Sequence, residues 1–251
     1  METAVTNNLK YKNIMKTLAI ILSTLALTSC ITIVGTTKLS EAPIEERTLP
    51  LNDEVTAIAA SCGADVIIDA TIPANEIRVK THTDIFDILD IKTDKGTIDI
   101  SLSENSLRAK TFEVRVPILA YNTIAASGGA DIEWHDCRAE MLTIAASGGA
   151  DIDIEGECGD IILAVSGGAD AEMAGHCVNL TVAASGGADA DLDDLKAMNV
   201  EVSASGGADV AVHATKALTV NASGGADVAY SGNPESKDII RSGGADVYQA
   251  N

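Results

Sequence analysis

Four pairs of acidic residues recur at a nearly fixed interval: Asp131 and Glu133, Asp151 and Asp153, Asp170 and Glu172, Asp189 and Asp191. Each pair brackets one residue, so in an extended segment both carboxylates leave the same face. Oxygen ligands in such number suit a hard cation, and Ca²⁺ is the one cofactor this pattern would take. The interval of about 19 residues is roughly twice that of glycine/aspartate calcium nonapeptides. Two carboxylates ~4.8 Å apart repel by only about 0.9 kcal/mol in bulk water, so a solvated ladder without metal is tolerable and is the leading expectation. Asp151 and Asp170 have the residue types of a general acid and base on a glycan. A polysaccharide lyase would set Lys or Arg beside them, and the repeated segment carries almost none.

Other reactive residues point to structure rather than catalysis. Cys137, Cys158 and Cys177 stand 10, 11 and 11 residues after the serines of their repeats. Stacked repeats would bring them to nearly one column. One bridge between adjacent coils, sharing Cys158, is then open, with buried free thiols as the alternative. His82, His135, His176 and His213 share no motif position and match no zinc spacing. The repeated serines lie in no nucleophile elbow. Trp134, the single tryptophan, falls at an apolar phase and reads as core or cap, and aromatic residues make up only 3% of the chain, too few for a sugar-stacking groove.

These residues are positioned by a repeat. Ser-Gly-Gly-Ala-Asp occurs seven times, from Ser127, Ser147, Ser166, Ser185, Ser205, Ser223 and Ser242, at intervals of 20, 19, 19, 20, 18 and 19 residues. Ser61-Cys62-Gly63-Ala64-Asp65 is a degenerate copy. A unit reads Leu142–Ala146 as strand, Ser147-Gly148-Gly149 as corner, Ala150–Ile154 as strand and Glu155-Gly156-Glu157 as polar turn. The corner glycines, Gly128-Gly129, Gly148-Gly149, Gly167-Gly168, Gly186-Gly187, Gly206-Gly207, Gly224-Gly225 and Gly243-Gly244, supply backbone angles closed to other residues. The motif serine and aspartate are read as capping corner N–H and C=O groups. Coils that return to the same corner must pair in parallel, which predicts an all-β parallel solenoid of ~19-residue coils over residues 121–251. Residues 51–120 alternate as half-buried strands, with a turn at Asp94-Lys95-Gly96 and a strand end at Pro117. They read as an N-terminal β region that caps the stack.

Residues 1–29 read as a lipoprotein signal peptide: Lys10, Lys12 and Lys16 precede the short apolar run Leu18–Leu27. Leu27-Thr28-Ser29-Cys30 resembles a lipobox, which makes Cys30 the lipidated residue, residues 30–50 a tether, and the outer membrane the predicted site, its face left open. The chain carries a net charge of −20, which argues against nucleic acid as a partner.

The lipobox, the early motif Ala60–Val66, the Pro-ended strand Val114–Pro117 and the serial Ser-Gly-Gly-Ala-Asp coils together resemble the "head GIN" domain family of autotransporter adhesins, a domain of unknown function common in Bacteroidetes. The resemblance covers residues 50 to 250. It implies a right-handed β-helix-like fold and no catalytic residue or cofactor. The expected function is a non-catalytic, lipid-anchored envelope protein that binds a protein or glycan ligand. A carbohydrate-active β-helix enzyme and a purely structural envelope or stress component are the alternatives. Self-association through the C-terminal solenoid edge is a further expectation.

Overall fold

The computed structural model describes residues 38–104 and 106–250; the signal segment 1–29 and Cys30 lie outside them. The described residues contain no helix. They form β1 (Lys38–Leu39), β2 (Ile44–Pro50), β3 (Ala57–Ala60), β4 (Asp65–Asp69), β5 (Glu76–His82), β6 (Leu89–Asp94), β7 (Thr97–Leu102), β8 (Leu107–Arg108), β9 (Phe112–Pro117) and β10 (Thr123–Ser127). The chain then enters β11 (Asp131–Gly148), β12 (Asp151–Gly167), β13 (Asp170–Gly186), β14 (Asp189–Gly206) and β15 (Asp209–Ala222), and ends in β16 (Asp227–Ser231), β17 (Ser236–Arg241) and β18 (Asp246–Gln249).

From β11 through β15 a single strand makes a whole coil, and neighbouring coils pair in parallel, in register except at a few bulges. Each coil has two faces. The first is led by the motif aspartate, and the second ends at the motif serine. The first face continues upstream through β4, β9, β5 and β2, the second through β10, β3, β7 and β6. The β2–β5, β5–β9 and β6–β7 pairs are antiparallel. The β6–β7 hairpin turns at Lys95 (φ 50°) and Gly96 (φ 80°), the left-handed pair that a two-residue hairpin loop demands.

Two expectations are corrected here. Residues 44–50 are not a free tether: they pair along their whole length with β5. Arg47 stacks 4.0 Å over the Phe86 ring, and the buried Ser40 hydroxyl donates to Asp84 at 2.6 Å. An uncovered β5 would leave a row of unpaired backbone groups, and β2 removes it. Nor is Glu155-Gly156-Glu157 a loop, because it pairs residue for residue with Ala174, Gly175 and His176 of the next coil.

The core lies between the two faces and is built of columns set by register. Leu142, Ile161, Leu180, Val200 and Leu218 form one, and Ile144, Leu163, Val182, Val202 and Val220 another. All are buried. At the N-terminal end Tyr121 and Trp134 meet edge to face, 5.9 Å between centroids, and the Tyr121 hydroxyl donates to Pro117 O at 3.0 Å. At the C-terminal end the first of these columns finishes in Lys237 and the second in Ile239, while Arg241 stands opposite Ala222. Lys237 sits 5.5 Å over the Tyr230 ring, and Arg241 lies 3.7 Å from Asp246. Charges on a last strand blunt the edge against further pairing.

The motif corner keeps its hydrogen bonds by passing them along the stack. Gly187 N donates to Gly167 O at 2.8 Å, Gly207 N to Gly186 O at 2.7 Å, and Asp189 N to Ala169 O at 3.1 Å. The capping role read into the motif serine and aspartate therefore falls largely to the preceding coil's backbone, and the Ser127 hydroxyl is buried without a partner. The two glycines are also unequal. The first, as at Gly186 (φ 82°), occupies left-handed backbone, and an added Cβ there would lie 3.0 Å from Gly167 O. At Gly187 it would meet nothing nearer than 3.6 Å. The opposite corner is tighter still: at Gly175 (φ 118°) a Cβ would fall 1.9 Å from Gly156 O.

These contacts order three substitutions. Gly175→Ala is expected to lower unfolding free energy by about 3 kcal/mol, Gly186→Ala by about 1–2 kcal/mol, and Gly187→Ala by under about 0.5 kcal/mol. Denaturant melts of the three variants check the order.

Candidate functional site

The first face carries a carboxylate ladder longer than the repeats alone. Register places Glu113, Asp65, Asp131, Asp151, Asp170, Asp189, Asp209, Asp227 and Asp246 in one continuous column. Strand alternation sets the cause: Ile132, Ile152, Ala171, Ala190, Val210 and Val228 turn inward, so the residues before them face solvent. A second column holds Glu133, Asp153, Glu172 and Asp191, then runs into Ala211 and Ala229. Glu113 belongs to no repeat. Its only signal in sequence is the alternation of Phe112-Glu113-Val114, and its place beside Asp65 exists only once β9 docks on β4.

Arg115 closes the upstream end. It donates to Glu113 at 2.6 Å and to Asp69 at 2.8 Å. Hydrogen bonds from the Thr71 backbone and side chain, then Arg115, hold the Asp69 carboxyl below its ordinary range. Along the ladder the direction reverses. Burial pushes Asp65 up, aided by Glu113 and Glu133. Burial and then Asp151 and Asp65 do the same to Asp131. Burial followed by Asp170, Asp209 and Asp191 raises Asp189.

Between the columns Asp151, Asp153, Asp170, Glu172, Asp189 and Asp191 line a shallow groove of about 290 Å³. All eight carboxylates assigned to Ca²⁺ share this face. They project side by side, and among the described residues no three His, Cys, Asp or Glu side chains are grouped as a metal site needs. Asp151 and Asp170 are direct neighbours on the open sheet, both exposed.

The remaining candidates sit elsewhere. Cys137 and Cys177 are buried and Cys158 is half-buried, with 3.6 Å between the Cys137 and Cys158 sulfurs. At the same corner Asn179 donates to Asp160 at 2.6 Å and Asn199 to Asn179 at 2.9 Å, a side-chain ladder across three coils. His213 belongs to a cluster that spacing did not reveal. Ser231, outside the motif, donates to Asp193 at 2.5 Å and faces His213 Nδ1 at 2.8 Å. With serine in the middle its proton points to Asp193, so the group staples three coils rather than activating a nucleophile. His82 is buried, its Nδ1 2.6 Å from Ala42 O, while Lys110 N donates to its Nε2 at 3.4 Å.

Residues 54–234 match the model of a family described as "Putative auto-transporter adhesin, head GIN domain". Among solved structures, a protein from Bacteroides fragilis named a "putative adhesin" superposes with a TM-score of 0.74 at 18% identity, over 84% of this chain and 99% of that one. A "putative lipid binding protein" from Parabacteroides distasonis gives 0.67 at 17% identity, over 86% and 100%. A "putative adhesin" from Parabacteroides merdae gives 0.69 at 14%, over 86% and 100%. At these identities the likeness is one of fold. No curated protein matches the chain.

A carboxylate whose pKa is raised on folding makes the folded state bind protons more tightly than the unfolded one just above the ordinary carboxylate value. Stability is therefore gained as pH falls into that window and lost as it rises. Asp189→Asn is expected to raise Tm at about pH 7, by roughly 0.2–1 kcal/mol of stability. It should change little at about pH 3, where the carboxyl is protonated in both states. Thermal melts at the two pH values check this, and an unchanged or lower Tm near neutrality would sink it.

Proposed function

This chain belongs to the head GIN family, and from that premise we propose that it is a non-catalytic binding module of the cell envelope. It is held at the outer membrane through lipidated Cys30 and presents its ladder face to an extended, positively charged polypeptide surface. One observation carries the choice of face: the carboxylate column runs without a break in register from Glu113 to Asp246. A flat single-sign surface of that length steers an oppositely charged partner and fixes its direction along the stack. Side chains that stand parallel on an open sheet suit an extended ligand better than a small substrate, which needs a concave site. Ca²⁺ enters this reading only as a bridging counter-ion between the face and an anionic glycan.

Two measurements test it. In the first, binding of immobilised protein to poly-lysine is compared for the native chain, a triple Asp151→Asn, Asp170→Asn, Asp189→Asn variant, and a control that neutralises Glu41, Asp94 and Glu104, exposed residues off the ladder. The ladder variant is expected to bind roughly tenfold more weakly while the control is unchanged, and added salt should erase the difference. Equal losses in both would remove the face from the site, and binding only to a glycan in the presence of Ca²⁺ would replace the polypeptide partner. In the second, protease shaving of intact cells is expected to remove the protein. Loss only after lysis would turn the reading toward an internal envelope scaffold.

A further inference from the structure

We propose that Cys137 and Cys158 form a dithiol–disulfide couple that staples the coils of β11 and β12, with Cys158 the thiol that exchanges with a disulfide-bearing oxidant. The inference is independent of the adhesin reading.

The geometry is set by an irregularity in the stack. Between Trp134 and Cys137 the β11 strand carries one residue more than β12, and Asp136 takes the left-handed conformation (φ 62°). After this bulge Cys137 lies opposite Gly156 and Ala139 opposite Cys158. Gly156 lets its backbone lie close against that of Cys137, since a Cβ there would fall 2.1 Å from Cys137 O. Into this corner the two sulfurs converge to 3.6 Å. A disulfide needs about 2.05 Å, an approach of roughly 1.5 Å that side-chain rotation can supply without moving the coils apart.

The two thiols are not equivalent. Cys137 is fully buried, and Cys158 is half-exposed at the surface of the corner. A hydrogen bond from the Cys137 thiol, with a second from the Ala139 backbone N–H, favours the Cys158 thiolate and lowers its pKa against the opposing effect of burial. Cys137 is driven upward, by that same hydrogen bond and by burial. Burial likewise lifts Cys177, the next thiol along the stack, to about 12. A partly accessible thiol whose thiolate is favoured by hydrogen bonds, 3.6 Å from a buried resolving thiol, is arranged for exchange.

The chemistry balances as two exchanges. Cys158 thiolate attacks one sulfur of the oxidant's disulfide, that bond breaks, and one oxidant thiolate leaves. Cys137 sulfur then attacks the Cys158 sulfur and breaks the mixed disulfide. The second oxidant thiol departs with the Cys137 proton. Two electrons pass from the protein to the oxidant, which ends as two thiols.

The test uses the full chain, reduced, freed of reductant and incubated with oxidised glutathione, then alkylated in denaturant and mapped by mass spectrometry after trypsin. Trypsin cleaves after Arg138, and a second digestion with Asp-N cuts before Asp160 and Asp170, so Cys137, Cys158 and Cys177 fall in separate peptides. The expected product is a cross-linked pair of these peptides, present in native protein and in C177A. C137A is expected to stop at a glutathione adduct on Cys158, formed roughly tenfold or more faster than any adduct on Cys177. Oxidation should also raise the Tm of the C177A chain, and reduction should return it. Three results would overturn the proposal: Cys137 still alkylated after oxidation, a bridge to Cys177 instead, or an adduct on Cys158 that native Cys137 fails to resolve. The native-chain map decides the matter even if C137A does not fold.

Discussion

The backbone hydrogen bonds between one coil and the next govern everything else in this protein. A coil here has almost no hydrogen bonds of its own to make. Its N–H and C=O groups point along the stack, and even the sharp motif corner hands Gly187 N to Gly167 O and Asp189 N to Ala169 O of the coil before. Buried backbone groups must be paired, so each coil fixes the height and register of its neighbour. Stability then resides in the interfaces between coils, and small residues appear wherever two backbones must come close. Gly175 over Gly156 is the extreme case, since even a methyl group would enter the carbonyl below.

Register turns each position of the repeat into a column, and columns have collective properties. The core-facing columns are interchangeable: Ala171 and Ala190 stand in line with Ile152 and Val210 without a break, because apolar contact is non-directional. The solvent-facing carboxylates have no such freedom. Partial burial, and after it repulsion from neighbours stacked at a strand's spacing, make Asp65, Asp131 and Asp189 hold their protons more tightly than free aspartate. The stack tolerates this because the sheet is open to water on that side and the repulsion per pair is small. A surface kept at a steady electrostatic disadvantage is one whose potential is available to a partner.

The ends and irregularities are where the repeat yields to local needs. Upstream, β2 covers β5 and Arg115 terminates the ladder. Downstream, Lys237 and Arg241 stand exposed opposite the buried Leu218 and Ala222 of the preceding coil. The bulge at Asp136 shifts Cys137 by one residue relative to its coil and brings it to Cys158. Chemistry specific to single coils, the thiol pair and the Asp193–Ser231–His213 staple, occurs where coil lengths differ and register slips.

The repeat alone dictated the solenoid: a ~19-residue period with a glycine corner leaves parallel stacking as the one way to bury each unit's apolar side, and the alternation after each corner placed Asp151 and Asp153 outward and Ile152 inward. The turn at Lys95-Gly96 was equally legible, because only a left-handed pair closes so short a hairpin. What lay beyond the sequence were contacts between segments with no shared pattern. Glu113 joins the ladder only because β9 lies against β4, and residues 44–50 become a strand only because β5 offers an edge. Gly175 looks like an ordinary turn residue until the preceding coil's carbonyl is set beside it. Spacing brought Cys137, Cys158 and Cys177 to neighbouring coils, but one inserted residue decided which two sulfurs meet. Local periodicity fixes which way a side chain faces; which atoms it faces is set by register between distant segments, and register is a property of the assembled stack.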